Sequence, residues 1–161
     1  MPVWLTAFLM ALPVGSLVEY WGHRAMHSWL LRKRHARHHQ AGAGQGWLGE
    51  FFDYTVGSLF FLLAGFLYSS EAGWGFAAGA LAFAAFAAYS HQLQHEHPEL
   101  CFWLSRPVHF LHHQNHMWHH NFGISLDIWD RVFGTYQHVE WTQPLARGRR
   151  MWSQFLQIKW L

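Results

Sequence analysis

The chain has 161 residues, a formal net charge of +2, 52% hydrophobic and 19% aromatic residues, and only 12% charged ones. This composition excludes a solvated disordered chain, and the length argues for one domain, 1–161. The lone cysteine, Cys101, excludes an internal disulfide, thiolate zinc fingers and iron–sulfur clusters, and so small a charge gives no ground for nucleic-acid binding.

Taken in chain order, three stretches are long and apolar enough to cross a bilayer. Residues 3–21 carry one charge, Glu19; residues 51–68 carry only Asp53; residues 72–89 carry none. At about 1.5 Å per residue each extends roughly 27–29 Å, close to the ~30 Å hydrocarbon core. A chain this small has too little polar material to surround three such helices in water. The first stretch lacks the basic flank of a signal peptide, because the first arginine is Arg24. The predicted fold class is therefore an all-α integral membrane protein with about three transmembrane helices. Histidine-rich regions, 22–50 and 90–140, follow the first and third spans, and 141–161 is an interfacial tail. Its last residues, 151–161, read as a short interfacial helix, and 100–104 as a loop that touches the membrane at most.

Every Lys and Arg lies in 24–37 or beyond 105, and the 69–71 connection has none. The positive-inside rule places the N-terminus outside and the histidine-rich face and C-terminus in the cytoplasm. Spans two and three form a hairpin, with glycines and alanines allowing close packing.

Histidine carries the chemistry: the chain has 15. His23 and His27 are four apart at the end of the first span, and His91 and His95 repeat that spacing after the third. His35, His38 and His39 form H-x-x-H-H, as do His109, His112 and His113. On a helix, residues three and four apart share a face, and neutral imidazole is a common ligand for iron, zinc and copper. A straight helix would hold His23 and His39 roughly 24 Å apart, far beyond any shared metal, so the chain is expected to bend near 30–34. A single such cluster could be a polar membrane anchor or a tag-like tract; four on one face point to a specific metal site. A second triplet, His116, His119 and His120, competes with the first. Its last member abuts Asn121, where Asn and Gly favour a helix end, so His109, His112 and His113 are the expected ligands.

These four clusters, followed by Asn121-Phe122-Gly123 and by Trp129-Asp130-Arg131-Val132-Phe133-Gly134-Thr135-Tyr136, resemble the membrane fatty acid hydroxylase / sterol desaturase superfamily. The resemblance runs from about Glu19 to Tyr136. It implies a dimetal site of two irons held mainly by histidines, with zinc able to replace iron on purification, and O2 as cosubstrate. The chain is shorter than most members, with three spans where four are usual, and it lacks the His-Pro-Gly-Gly of a fused haem domain. A separate electron donor, of ferredoxin or cytochrome type, is then required. Short β-carotene hydroxylases share the length and boxes, but the Trp-Asp-Arg ending is closer to the fatty acid and sterol branch.

An all-imidazole site is strongly cationic, so carboxylates are expected to hold the outer ring N–H groups. Glu19, one turn before His23, is the first choice, Asp130 a second, and Asp53, Glu96 and Asp127 weaker ones. The G-x-G-x-x-G at 44–49 follows no strand and reads as a connector, not a dinucleotide site. The functional expectation is hydroxylation of a fatty acyl, sterol or carotenoid lipid, with desaturation on the same centre as the runner-up. A histidine-rich metal carrier is the alternative of a different class. Its weakness is that no histidine lies within the spans to carry an ion across.

Overall fold

The computed structural model describes residues 1–28, 32–143 and 153–161, with Arg34 by its backbone alone. Among them every regular element is helical: α1 (Val3–Met26), α2 (Arg32–Ala41), α3 (Trp47–Gly57), α4 (Leu59–Leu62), α5 (Ser70–Glu96), α6 (Val108–Gln114) and α7 (Ile128–Val132), with short 3-10 turns at Ala64–Leu67 and Pro98–Leu100.

Two helices, α1 and α5, are each long and apolar enough to cross a membrane, and both continue past the apolar stretch into their histidines. They pack against one another in parallel. A side chain at Gly75 would strike the Trp4 carbonyl at 2.1 Å, one at Gly79 the Phe8 carbonyl at 2.4 Å, and one at Gly15 the Phe83 ring at 2.6 Å. Small residues thus set the approach of the two backbones. Because the helices run the same way, their C-terminal ends, with His23 and His91, arrive at one level.

The chain must return between them, and it does so with a break. The stretch expected as one straight span is bent by 67° between Trp47–Gly57 and Leu59–Leu67. Ser58 sits at the break, where its backbone N–H and its hydroxyl both donate to the Tyr54 carbonyl, at 3.0 and 2.8 Å. The return still covers the length of α5: Gly46 N–H donates to Gln92 at one end, and Gly65 lies against the Ala72 carbonyl at the other. With the bent pair as one span, the stretches among the described residues that are long and apolar enough to cross a membrane number three. The hairpin into α5 closes at Ser69, whose side chain caps Ala72 N at 3.1 Å. Trp4, Met10, Phe52, Phe60, Leu63 and Trp74 are exposed on the outer faces, the pattern of a surface built for lipid.

Among the described tail residues Ser153 and Gln154 are helical, and the end that follows them caps α3. Trp47 N and Leu48 N donate to the carbonyls of Lys159 and Trp160 at 2.8 and 3.0 Å, satisfying donors at the α3 start. Gly46, at φ +101°, lies so close to Leu161 that a Cβ would meet its backbone at 2.9 Å. The glycine-rich connector therefore serves this packing. Residues 144–152 of the expected tail lie outside the described residues. In the 100–104 loop, Leu100, Cys101 and Leu104 are buried in clusters with Leu93, Val108 and Ile158, while Phe102 is exposed.

Candidate metal centre

Four helix ends bring their histidines together. Residues 30 and 31 of the expected bend lie, with 29, outside the described residues, and α2 follows so that His35 Nε2 lies 3.1 Å from His23 Nε2 and 2.9 Å from His27 Nε2. From α6, His112 Nε2 reaches His27 Nε2 at 3.1 Å, and His39 Nε2 reaches His35 Nε2 at 3.0 Å. His23, His27, His35, His39 and His112 form one group whose ligand atoms all lie within 4.8 Å of one another; His38, His91, His95 and His109 form a second.

The H-x-x-H-H triplets do not point one way, as their spacing suggested. On α2, His35 and His39, four apart, join the first group while His38 turns to the second; on α6, His112 joins the first and His109 the second. His113 belongs to neither group. Its ring lies between them, stacked on His39 at 3.9 Å and edge-on to His109 at 4.5 Å, with both ring nitrogens buried and without a hydrogen-bond partner among the described residues. His116, His119, His120 and His138 are exposed and outside both groups. His97, on the far side, meets the Gln157 carbonyl and Glu99.

The outer ring nitrogens decide what the inner ones offer. His23 Nδ1 is 2.6 Å from the Phe122 carbonyl, and His112 Nδ1 is 2.7 Å from the His120 carbonyl. A carbonyl oxygen only accepts, so each Nδ1 carries the hydrogen and each Nε2 a lone pair. Burial first, then the neighbouring rings, lowers the His27 pKa to about 3 and those of His38 and His39 to about 4. For His112, burial lowers it to about 3 against the opposing pull of the His120 carbonyl. These four rings are neutral at physiological pH. Where both nitrogens of such a pair present lone pairs, an approach of 2.9–3.3 Å is repulsive unless a cation lies between them. Two ligands about 2.1 Å from one metal and at right angles are themselves about 3.0 Å apart. The donor set therefore fits a metal in each group, and the orphaned nitrogens of His113 add further capacity at the seam.

The carboxylate that meets a ring of these two groups is not the expected one. Glu50, from the first turn of α3, places Oε1 3.0 Å from His91 Nδ1, both side chains buried. The same oxygen accepts the Gln45 N–H at 3.1 Å, so the connector is tied to this contact. Sequence reasoning passed over Glu50, although the argument applied to Glu19, an acid at the edge of an apolar helix, fits it equally. Glu19 is buried but accepts from the N–H and hydroxyl of Ser125 at 3.1 and 2.6 Å rather than from a histidine.

Asp130 acts at one remove. Its oxygens accept from Phe122 N, Gly123 N and the Thr135 hydroxyl at 2.7–2.8 Å. This fixes the turn whose Phe122 carbonyl orients His23. Asn121, at φ +58°, completes the turn and bonds Gln137. Asp53 accepts from Gln45, Glu96 from Gln92 and Lys159, and Asp127 pairs with Arg131 at 2.6 Å, all away from the rings.

No curated protein and no solved structure matches the chain. A family model described as fatty acid hydroxylase matches residues 8–135. That segment begins in α1 and ends at Thr135, so it contains all four histidine clusters, Glu50 and the Asp130 turn. The match covers most of the sequence, and the chain belongs to the fatty acid hydroxylase family.

Proposed function

We propose that the protein is an O2-dependent, non-haem di-iron hydroxylase acting on a membrane lipid, and that residues 1–161 work as one hydroxylase domain. The carrying observation is the pair of adjoining buried groups, five imidazoles beside four, at the ends of apolar helices. His23, His27, His35, His39 and His112 would hold one iron, and His38, His91, His95 and His109 the other, with His113 between them. When bound, the iron pair supplies the oxidising power, drawn from O2 and two electrons, that breaks an unactivated C–H bond.

The chain's own residues position and insulate. The carbonyls of Phe122, His120 and Gly42 fix the tautomers of His23, His112 and His95, and the Glu50 carboxylate fixes His91. Burial keeps water from the rings, and the exposed apolar flanks of α1 and α5 hold the site beside the acyl layer. With the basic residues of α2 on the histidine side, the N-terminus faces outward and the histidine face and C-terminus the cytoplasm. The lipid is a fatty acyl chain, a sterol or a carotenoid; desaturation on the same centre is the variant reaction. A metal carrier fits less well, because the histidines gather at one end of the helices.

The test is anaerobic reduction of the purified, iron-loaded protein followed by exposure to O2. An oxygenase shows an iron-dependent absorption change on reoxidation; a carrier shows none. Comparing the lipids of cells with and without the gene then identifies the substrate.

A further inference from the structure

The proposed oxygenase reading requires electrons from outside the chain, and this inference rests on that reading. Residues 20–49 and 100–126 contain no Asp or Glu, but contain Arg24, Arg32, Lys33, Arg34, Arg37 and Arg106. Arg32, Lys33 and Arg37 on α2 are exposed, as are His116, His119 and His120 in the turn after α6. Between these two edges lies Trp118, partly open to solvent. Its ring is 4.5 Å from the ring of His27 and 5.6 Å from that of His39, both members of the five-histidine group. The Arg32 guanidinium lies 5.3 Å from the centre of the same indole. The turn is held in place: Met117 N–H donates to the His112 carbonyl at 3.0 Å, and Trp118 N–H to the His116 carbonyl at 2.9 Å.

We propose that this basic face docks the acidic face of a small one-electron carrier protein, of ferredoxin or cytochrome type, and that Trp118 is the ring joining the docked carrier to the histidine centre. Charge complementarity selects such a partner and speeds its encounter. An anionic membrane surface would also attract the cations, but has no use for an indole laid against two histidines and open on its other edge. Each product requires two docking events. Two reduced carriers are each oxidised by one electron, and one O2 and two protons are consumed. One oxygen atom enters the lipid C–H bond and the other leaves as water.

The experiment uses the full iron-loaded chain in nanodiscs of neutral lipid. Its reduction is followed by stopped flow, with reduced acidic plant-type ferredoxin or with reduced methyl viologen, which needs no docking. The triple variant R32E/K33E/R37E should be reduced by ferredoxin at least about 10-fold more slowly at low salt, with the gap closing as salt rises. Its iron content and viologen rate should match the parent. The neutral R32Q/K33Q/R37Q variant should fall between the two, and carries the test if charge reversal costs iron. Trp118→Leu should slow reduction at saturating ferredoxin while leaving its concentration dependence alone.

An unchanged ferredoxin rate in both triple variants, an equal loss with viologen, or a loss confined to nanodiscs containing anionic lipid would overturn the proposal. Parent protein that viologen reduces but O2 does not reoxidise would instead defeat the oxygenase reading itself, a distinct result.

Discussion

Replacing Glu50 tests whether the second histidine group is built as a metal site, because its carboxylate is in contact with the ring of His91, a member of that group. The His91 Nδ1 to Glu50 Oε1 distance is 3.0 Å, and the side chains are 7% and 9% exposed, so water cannot readily substitute. Loss of such an outer partner weakens metal binding about 10- to 100-fold, which at about 1.4 kcal/mol per decade is roughly 1.4–2.8 kcal/mol. Glu50→Ala should therefore weaken one of two bound metals by about 10- to 100-fold and leave the other close to its parent value. Part of the folding cost will fall on the connector, since Gln45 N–H loses its acceptor. Glu50→Gln keeps an acceptor oxygen without the charge and should lie between. The assay is competitive titration of metal-free protein with a chromophoric chelator, resolving two affinities. Equal loss at both sites, or none at either, would refute the reasoning. Glu19→Gln is the contrast, since Glu19 meets Ser125 and no ring: metal affinities should hold.

Three further outcomes follow from the same coordinates. Gly75→Leu should destabilise the fold by at least about 1–3 kcal/mol, because even its Cβ would sit 2.1 Å from the Trp4 carbonyl, and thermal unfolding in detergent reads the loss. His112→Ala/His113→Ala should strip metal and activity, whereas His119→Ala/His120→Ala should retain metal, read by elemental analysis; the reverse pattern would reassign the ligands. The metal-free protein should lose stability as pH falls from about 6.5 towards 4. His27, His38, His39 and His112 have folded pKa values lowered to about 3 to 4, below the ordinary ~6.5, so the unfolded chain takes up the protons and acid favours it. Unfolding temperatures at pH 7.5 and 5.5 check the sign, and a higher value at pH 5.5 would contradict it.

Length and hydropathy made α1 and α5 legible, since a long uncharged run has few alternatives to a helix. They could not reveal the break after Gly57, because hydropathy sums over a stretch and is blind to its direction. That break is accommodated by Ser58 and by packing along α5, which are tertiary matters. Ligand spacing marked the histidines that meet, but spacing along one helix could not say that His38 and His39, neighbours in sequence, serve different groups. That division depends on α2 lying between α1 and α5. Glu50 escaped notice for a similar reason: its partner His91 lies on another helix, and Glu19 offered a local geometry that looked sufficient. The tail's role depends on meeting the start of α3, which no local pattern encodes.

The central claim is that two metal ions lie side by side on these histidines, and counting metal per chain tests it most directly. The measurement is elemental analysis of purified, iron-reconstituted protein beside two variants: His27→Ala/His112→Ala in the first group and His91→Ala/His95→Ala in the second. The account predicts about two ions per chain in the parent and, in each variant, loss of the ion held by the altered group. One ion or none in the parent, or two in both variants, would contradict it.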